Sequence, residues 1–289
     1  MYPANHFYGH AEIFHEYCGL TSPRPLHGFL MHGWTPALGL KVKPARHYLP
    51  KYVWSRRNLE TCQAAGWFGV HAVGSPFLYM DCPESVAAPP GKSLLAFPFH
   101  GYEQGEINAD YQWYAKSLLQ LEKDGFGPIT VCMYWQEYEN ADFRSVFERQ
   151  GWDVVCNGYR DNNPRFLYEQ RDLLARHAYT TSNRICTATF YALVCNRPFF
   201  LHGPTMGLEA TQDKDGIAYD DWQRLHFPQL TYEQFDGSCH RALAEEELGQ
   251  EYVRSPEDLR DLFQWSWKYA LHHAARPLRR AWWKLKTAA

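Results

Sequence analysis

Thr180-Thr-Ser-Asn-Arg-Ile-Cys-Thr-Ala-Thr-Phe-Tyr-Ala-Leu193, followed by Asn196-Arg-Pro-Phe-Phe-Leu-His-Gly-Pro204, reads as a strand end, a hydroxyl- and amide-rich turn, a short apolar helix and a second buried strand. A Ser/Thr/Asn turn that opens a helix presents backbone N–H groups, hydroxyls and the positive end of the helix dipole to an anion. In an open α/β sheet, phosphorylated ligands sit beyond the carboxyl ends of the strands. The stretch predicts a strand–helix–strand unit and a seat for a phosphate-bearing ligand. The same residue types also cap ordinary helices.

The alternation extends along the chain. Apolar strand-like runs recur at Gly28–Met31, His71–Val73, Ser93–Phe97, Ile129–Met133, Asp153–Cys156 and Pro198–Leu201. Helical patterns occupy Arg56–Ala65, Ala109–Lys123, Ala141–Gln150 and Pro164–Arg176, the last with Phe166, Leu167, Leu173 and Leu174 at helical spacing. Strands alternating with helices predict parallel sheets with covering helices. Pro98–Asn108, with Gly101 and Gly105, reads as a linker. The expected organisation is therefore two α/β domains, over 1–105 and 106–289. His202–Leu230 has no clear periodicity and reads as a long functional loop. Two further helices are expected at Tyr232–Leu248 and Pro256–Ala275, the second announced by the cap Ser255-Pro-Glu-Asp258.

With 45% hydrophobic and 21% charged residues, the chain has the make-up of a soluble globular protein with ample core. A net charge of -3 gives no bulk reason to expect nucleic acid as a partner. The eight cysteines lack C-x-x-C spacing, and no signal-peptide pattern opens the chain, so a reduced cytoplasmic protein is expected. No run approaches the roughly 18 apolar residues of a membrane span. His6, His10 and His15 lack companion ligands at matching intervals, and no metal site is expected. Neither a Walker loop, a G-x-G-x-x-G fingerprint nor a G-x-S-x-G elbow occurs, which disfavours kinases, dehydrogenases and common hydrolases.

Candidate chemistry gathers at predicted strand ends. His32 and Gly33 follow a buried strand, where an imidazole either accepts an acceptor hydroxyl's proton or only caps the strand. His100 follows another strand in the same way, with Glu103 placed to orient a histidine or bind a hydroxyl, unless the segment is only a polar hinge. Tyr134 and Glu137 offer an aromatic face and a carboxylate for a base or ribose, or else an ordinary strand end. Arg160 is a candidate phosphate or base-edge contact. The tail Ala275-Arg-Pro-Leu-Arg-Arg-Ala-Trp-Trp-Lys-Leu-Lys286 suits an anionic membrane surface, or packs its tryptophans on the protein body.

Taken in order, these motifs resemble the GT-B superfamily of nucleotide-sugar transferases, nearest in pattern to capsule-polysaccharide transferases and CDP-glycerol glycerophosphotransferases. His32-Gly-Trp-Thr-Pro-Ala-Leu-Gly39 is similar to the family's early His-Gly-Thr-Pro-like turn. Val53-Trp-Ser-Arg56 leading to Gly74-Ser-Pro76, and Thr180-Thr-Ser-Asn183 through Arg197-Pro198, look like two later motifs. The resemblance spans most of residues 26 to 204. It implies two Rossmann-like domains facing a cleft, an N-terminal acceptor-side domain over 1–105 and a C-terminal nucleotide-donor domain over 106–289, with His32 as general base and the Ser182/Asn183 turn on donor phosphate. The family's His-Pro pair after the first strand of the second domain is absent from Met133-Tyr-Trp-Gln136, where it was expected.

The reading is an α/β, GT-B-like glycosyltransferase of polysaccharide biosynthesis. It moves a sugar or sugar-like group from a nucleotide-activated cosubstrate to a carbohydrate or other hydroxyl acceptor, with no bound cofactor or metal. His32, His100 and Glu103 are the catalytic candidates. Gly33, Thr35, Tyr134, Glu137, Arg160, Thr181, Ser182, Asn183, Thr187 and His202 are the substrate- and donor-binding ones. The expected place is the cytoplasm, including the inner membrane face if residues 275–286 associate with it. A nucleotide-sugar epimerase or hydrolase on the same fold, or a non-catalytic scaffold subunit, are the alternatives.

Overall fold

The computed structural model describes residues 2–37, 39–40, 42, 48–80, 89–101, 107–108, 110–208 and 212–265. The chain opens with a 3-10 segment (Pro3–Gly9) and α1 (His10–Tyr17), followed by β1 (Phe29–Leu30), β2 (Lys51–Val53), α2 (Arg56–Ala64) and β3 (Val70–Ala72). Then come β4 (Leu94–Phe97), β5 (Ile107–Asn108), α3 (Tyr111–Lys123), β6 (Ile129–Cys132), α4 (Trp135–Glu139), α5 (Ala141–Glu148) and β7 (Asp153–Val155). The remainder is α6 (Phe166–Ala175), β8 (Tyr179–Ser182), α7 (Thr187–Val194), β9 (Phe199–Leu201), β10 (Gly207–Leu208), α8 (Gln212–His226), α9 (Arg241–Leu248) and α10 (Pro256–Leu262).

Two parallel sheets organise these elements into an α/β fold. The smaller has the order β1-β2-β3, and the larger β7-β6-β4-β8-β9; β5 and β10 form a short antiparallel pair. In the larger sheet the first strand in sequence lies centrally, with later strands added first on one side and then on the other. Strand order therefore reverses between β4 and β8, whose register pairs Leu95 with Thr180 and Phe97 with Ser182. β4 was read as the last strand of the N-terminal block, yet it is the centre of the larger sheet. The change of sheet falls between β3 and β4, ahead of Pro98–Asn108.

Side-chain alternation along these strands separates two apolar clusters. Leu94, Ala96, Ile129, Val131 and Phe200 pack under α3 and α5. Leu95, Phe97, Phe199 and Leu201 face the other way, toward α6 and α7, in a cluster that continues into the smaller sheet through Leu30, Val53 and Val73. Helices thus cover both faces of the larger sheet. α7 lies between the sheets, and Phe190 through Val194 are all buried. A helix apolar on all sides is one buried on all sides. Phe77 stacks on Tyr191 with centroids 4.1 Å apart, which seals this layer.

The C-terminal elements return to the smaller sheet. The Leu248 carbonyl accepts the Ser75 N–H at 2.8 Å, Arg254 donates to the Ala72 carbonyl at 3.1 Å, and Arg260 donates to the Cys18 carbonyl. Gly249 ends α9 in the left-handed region (φ 77), and a Cβ there would collide with the Trp54 carbonyl. The cap read at Ser255 is present: its hydroxyl accepts the Asp258 N–H at 3.2 Å, with Pro256 in the first turn.

Four expectations need correction. Tyr232–Leu248 is not one helix: a 3-10 turn at Tyr232–Gln234 and α9 flank Gly237, whose φ of 83 is non-helical. His202–Leu230 is not irregular throughout, because α8 forms despite Gly216, and Trp222 packs on Trp34 and Phe227. β2 escaped notice because Lys51 heads it. That lysine is buried and donates to the Leu49 and Phe68 carbonyls, each at 3.0 Å. Among the described residues no helix is long and apolar enough to cross a membrane. The helix expected over Pro256–Ala275 already stops at Leu262, with Gln264 at a φ of 60, and the boundary at 105/106, residues 266–275 and the 275–286 tail lie outside the described residues.

β1 bonds to β2 along one side only, and a side chain serves its other side. The Asn5 amide accepts the Leu30 N–H at 2.8 Å and donates to the Leu26 and Gly28 carbonyls at 3.3 and 3.1 Å. Asn5→Ala strands a buried backbone donor and should lower unfolding free energy by about 2–3 kcal/mol. Urea denaturation checks this, and a loss within about 0.5 kcal/mol, typical of surface changes, would contradict it.

Candidate functional site

A cavity of about 400 Å³ opens where the larger sheet's strand order reverses. Its walls are the segments beyond the carboxyl ends of β4, β6, β7 and β8, closed from the opposite side by His32 to Pro36 beyond β1. Loops at such a reversal diverge to opposite faces of the sheet and leave a crevice. The cavity size suits a nucleotide or similar small ligand.

Both candidate histidines line this cavity, from different sheets. His32 meets Phe7 edge-on, with centroids 5.2 Å apart. His100 stacks on Tyr134 at 4.3 Å and 17°. The His100 Nδ1 lies 2.6 Å from the Gly101 carbonyl. A carbonyl only accepts, so Nδ1 carries a proton, and in the neutral form of the ring the lone pair is on Nε2. His100 is thus held in a tautomer competent to act as a base. Glu103 lies outside the described residues.

Gly33, Thr35, Tyr134, Arg160, Ser182 and Thr187 also line the cavity. The structure gives several of them scaffold duties. The Thr187 hydroxyl accepts the Trp34 N–H at 2.9 Å, and the Ser182 hydroxyl accepts the Arg184 N–H at 3.1 Å. The Arg160 guanidinium lies over the Phe7 ring at 4.3 Å and 3.3 Å from an Asp161 oxygen.

Four candidates are placed elsewhere. Thr181 is buried in β8 and donates to the Phe200 carbonyl at 2.8 Å. Asn183 is buried, its amide accepting the Phe99 N–H at 2.8 Å and donating to the Pro204 carbonyl at 2.9 Å. Glu137 holds the Gly101 N–H at 2.8 Å, so it latches the turn that carries His100 rather than facing the cavity. His202 sits on the other face of the sheet, with Nε2 3.1 Å from the Ser117 carbonyl and its ring edge-on to Tyr232. Burial lowers its pKa. The turn's amide and hydroxyls therefore tie neighbouring segments together instead of presenting an open cradle.

Even the start of α7 is engaged. Its N-cap is Cys186, whose sulfur takes backbone N–H groups of Ala188 and Thr189, while burial keeps the thiol pKa raised. Two other thiols, Cys132 and Cys156, line the same cavity, and burial raises both.

Reading the sequence missed four contributors: Trp34, Trp135, Gln170 and Arg184. Trp34 fixes the His32 turn by two bonds, its own N–H to Thr187 and its indole N–H to Glu247 at 2.8 Å, and the Asn58 amide adds a third by donating to the Thr35 carbonyl at 3.3 Å. Glu247 is itself buried and paired with Arg57. Trp135 and Gln170 line the cavity with Nε1 and Nε2 atoms that have no partner among the described residues, and the Gln170 oxygen accepts from Asn157 at 2.7 Å. Arg184 places its guanidinium between the Phe99 and Tyr219 rings, 4.3 and 4.0 Å from their centroids. It was legible as part of the opening turn. Tyr219, on α8, was hidden in the presumed loop.

No protein-family model matches the chain, and no curated protein sequence is significantly similar to it.

Behind His32 lies His10, fully buried, with neither ring nitrogen hydrogen-bonded among the described residues. Burial, and to a lesser degree His32, lowers its pKa from 6.5 to about 3. The unfolded chain binds this proton at higher pH than the folded chain. Stability is therefore complete above the unfolded value and is lost as pH falls from there toward the folded one. His15, His71 and His177, lowered by burial, act with the same sign. His10→Phe should reduce the acid-side slope of unfolding free energy by about 1.4 kcal/mol per pH unit. Urea unfolding across that range measures it, and an unchanged slope would show that His10 protonates in the folded state.

Proposed function

We propose that this chain is a glycosyltransferase with a GT-B-like arrangement, moving a sugar or sugar-like group from a nucleotide-activated donor to an acceptor hydroxyl. The observation that carries the reading is the convergence of His32 and His100, from the ends of β1 and β4, on one cavity at the strand-order reversal. Two parallel sheets with their carboxyl ends toward a shared crevice fit a donor held by one and an acceptor by the other. Where strands host both a base and an aromatic-lined pocket, group transfer to a hydroxyl is well served.

In this mechanism a histidine takes the acceptor hydroxyl proton as the oxygen attacks the anomeric carbon. The bond from that carbon to the phosphate oxygen breaks, and the nucleoside diphosphate leaves with the electron pair. Groups already oriented in the cavity stabilise the charge that develops on it. Placement of β4 also bears on the family resemblance. The strand opening the larger sheet is Leu94–Phe97, and a histidine does follow it, at His100. Gly101 follows His100, where the family carries a His-Pro pair. An acceptor in polysaccharide assembly at the inner membrane face, reached through the basic tail, belongs to the same proposal.

A panel of UDP, CMP, CDP and GDP should include one ligand that raises thermal stability, since a ligand that binds only the folded state does so by mass action. Mass spectrometry with the matching sugar donors then reports transfer. With the donor identified, loss of the base by His32→Ala or His100→Ala should lower kcat by about 10²–10⁴-fold with donor affinity nearly constant. Full turnover in both variants removes the histidine mechanism.

A further inference from the structure

The cavity wall is unbalanced in charge. Its described lining includes Arg160, Arg184, His32 and His100 but neither aspartate nor glutamate. Arg160 has a carboxylate close by in Asp161. Arg184 has none within ion-pair distance among the described residues. The nearest acid that acts on it, Asp220, receives Arg224 at 3.0 Å and the Gln223 amide at 2.8 Å. Its own acceptors are neutral: the Tyr219 hydroxyl and, at 3.5 Å, the Met206 carbonyl.

A desolvated cation without a counter-charge costs free energy, and a guanidinium cannot escape by losing its proton. Burial does lower the Arg184 pKa, the direction expected of that penalty. The aromatic faces of Phe99 and Tyr219 offset part of it. Its five N–H donors meet only the Tyr219 hydroxyl and the Met206 carbonyl among the described residues, which leaves an edge for oxygen acceptors. That edge is a rigid fork matched to two oxygens of one anion. Thr187 and Ala188, at the start of α7, line the same cavity, so the helix dipole adds in the same sense.

We infer that Arg184, clamped between Phe99 and Tyr219, is the anion seat of this cavity and that the ligand it takes carries a phosphoryl group. The inference rests on the donor site proposed above and moves the phosphate contact from the Ser182/Asn183 turn, whose groups hold the scaffold, to the adjacent arginine. Free pyrophosphate and a nucleoside diphosphate share this chemistry. The uncharged nucleoside lacks it.

The test compares inorganic pyrophosphate, UDP and uridine by calorimetric titration on the full chain, using wild type, Arg184→Gln, Arg184→Lys and, as a control of equal charge change at an exposed site, Arg176→Gln. Wild type and Arg176→Gln should bind pyrophosphate alike. Arg184→Gln should weaken it by about 10–100-fold, the range of a lost charge-assisted hydrogen bond. Arg184→Lys should lie between, keeping charge but losing the fork. The melting temperature of Arg184→Gln without ligand should equal or exceed that of wild type, because an unpaired charge has been removed. Equal pyrophosphate affinity in Arg184→Gln and wild type overturns the inference, as does absence of pyrophosphate and UDP binding to wild type. A marked fall in melting temperature for both Arg184 variants also overturns it, marking the arginine as a strut. If pyrophosphate binds through Arg184 but UDP binds no better and no nucleotide-sugar is consumed, the anion seat stands and the transferase reading fails.

Discussion

Trp34 is the joint on which the geometry of the cavity depends. Its backbone N–H bonds to Thr187 at the start of α7, and its indole N–H to the buried Glu247 of α9. Glu247 tolerates burial because Arg57 of α2 neutralises it. Removing one partner of such a buried pair leaves an uncompensated charge and is costly, so the three elements are held as a unit. Through them, the turn bearing His32 is fixed against the helix that follows β8. The ring of Trp34 also packs on Phe190 at 4.7 Å, which continues the joint into the apolar layer between the sheets.

On the other side of the cavity, Glu137 and Asn183 perform the same service for the turn after β4. Asn183 bridges Phe99 and Pro204, and Glu137 holds Gly101. His100 is therefore positioned by its two neighbours in sequence, and its tautomer by the Gly101 carbonyl. Polar residues at strand ends divide between shaping the site and facing it. Side chains that shape it are buried and bond to backbone or to one another, as Asn183 does to Phe99 and Pro204 and Glu247 does to Trp34 and Arg57. Those that face it are arginines and histidines set among aromatic rings.

That division explains the change of role at the opening turn. Hydroxyls and an amide before a helix look like an anion cradle because their bonding capacity is unassigned in a sequence. In the folded chain Thr181 serves Phe200, Thr187 serves Trp34 and Asn183 serves two loops at once. The guanidinium of Arg184 has more donors than any of these, and only neutral acceptors for them among the described residues.

The α/β class, the parallel sheets, most strands of the larger sheet, α7 and the Ser255 cap follow from local rules: period-two and helical apolar spacing, turn residues, and Pro in the first helical turn. These depend on neighbours a few residues apart, which the sequence displays directly. Even the two histidines at strand ends were legible, because a polar residue after an apolar run marks the place where a strand leaves the sheet. Strand order was not, since nothing local to Leu94–Phe97 says that it pairs with both β6 and β8. Nor was the partner of any side chain more than a few turns away. Trp34 with Glu247, separated by 213 positions, and Arg184 with Tyr219 meet only when the sheets have closed on α7. Local sequence determined the class and most strands of the larger sheet, but not β2, α8 or the end of α10. Tertiary packing alone decided which polar groups would be satisfied within the fold and which would be left facing the cavity, because hydrogen-bond satisfaction is a property of what surrounds a residue in space.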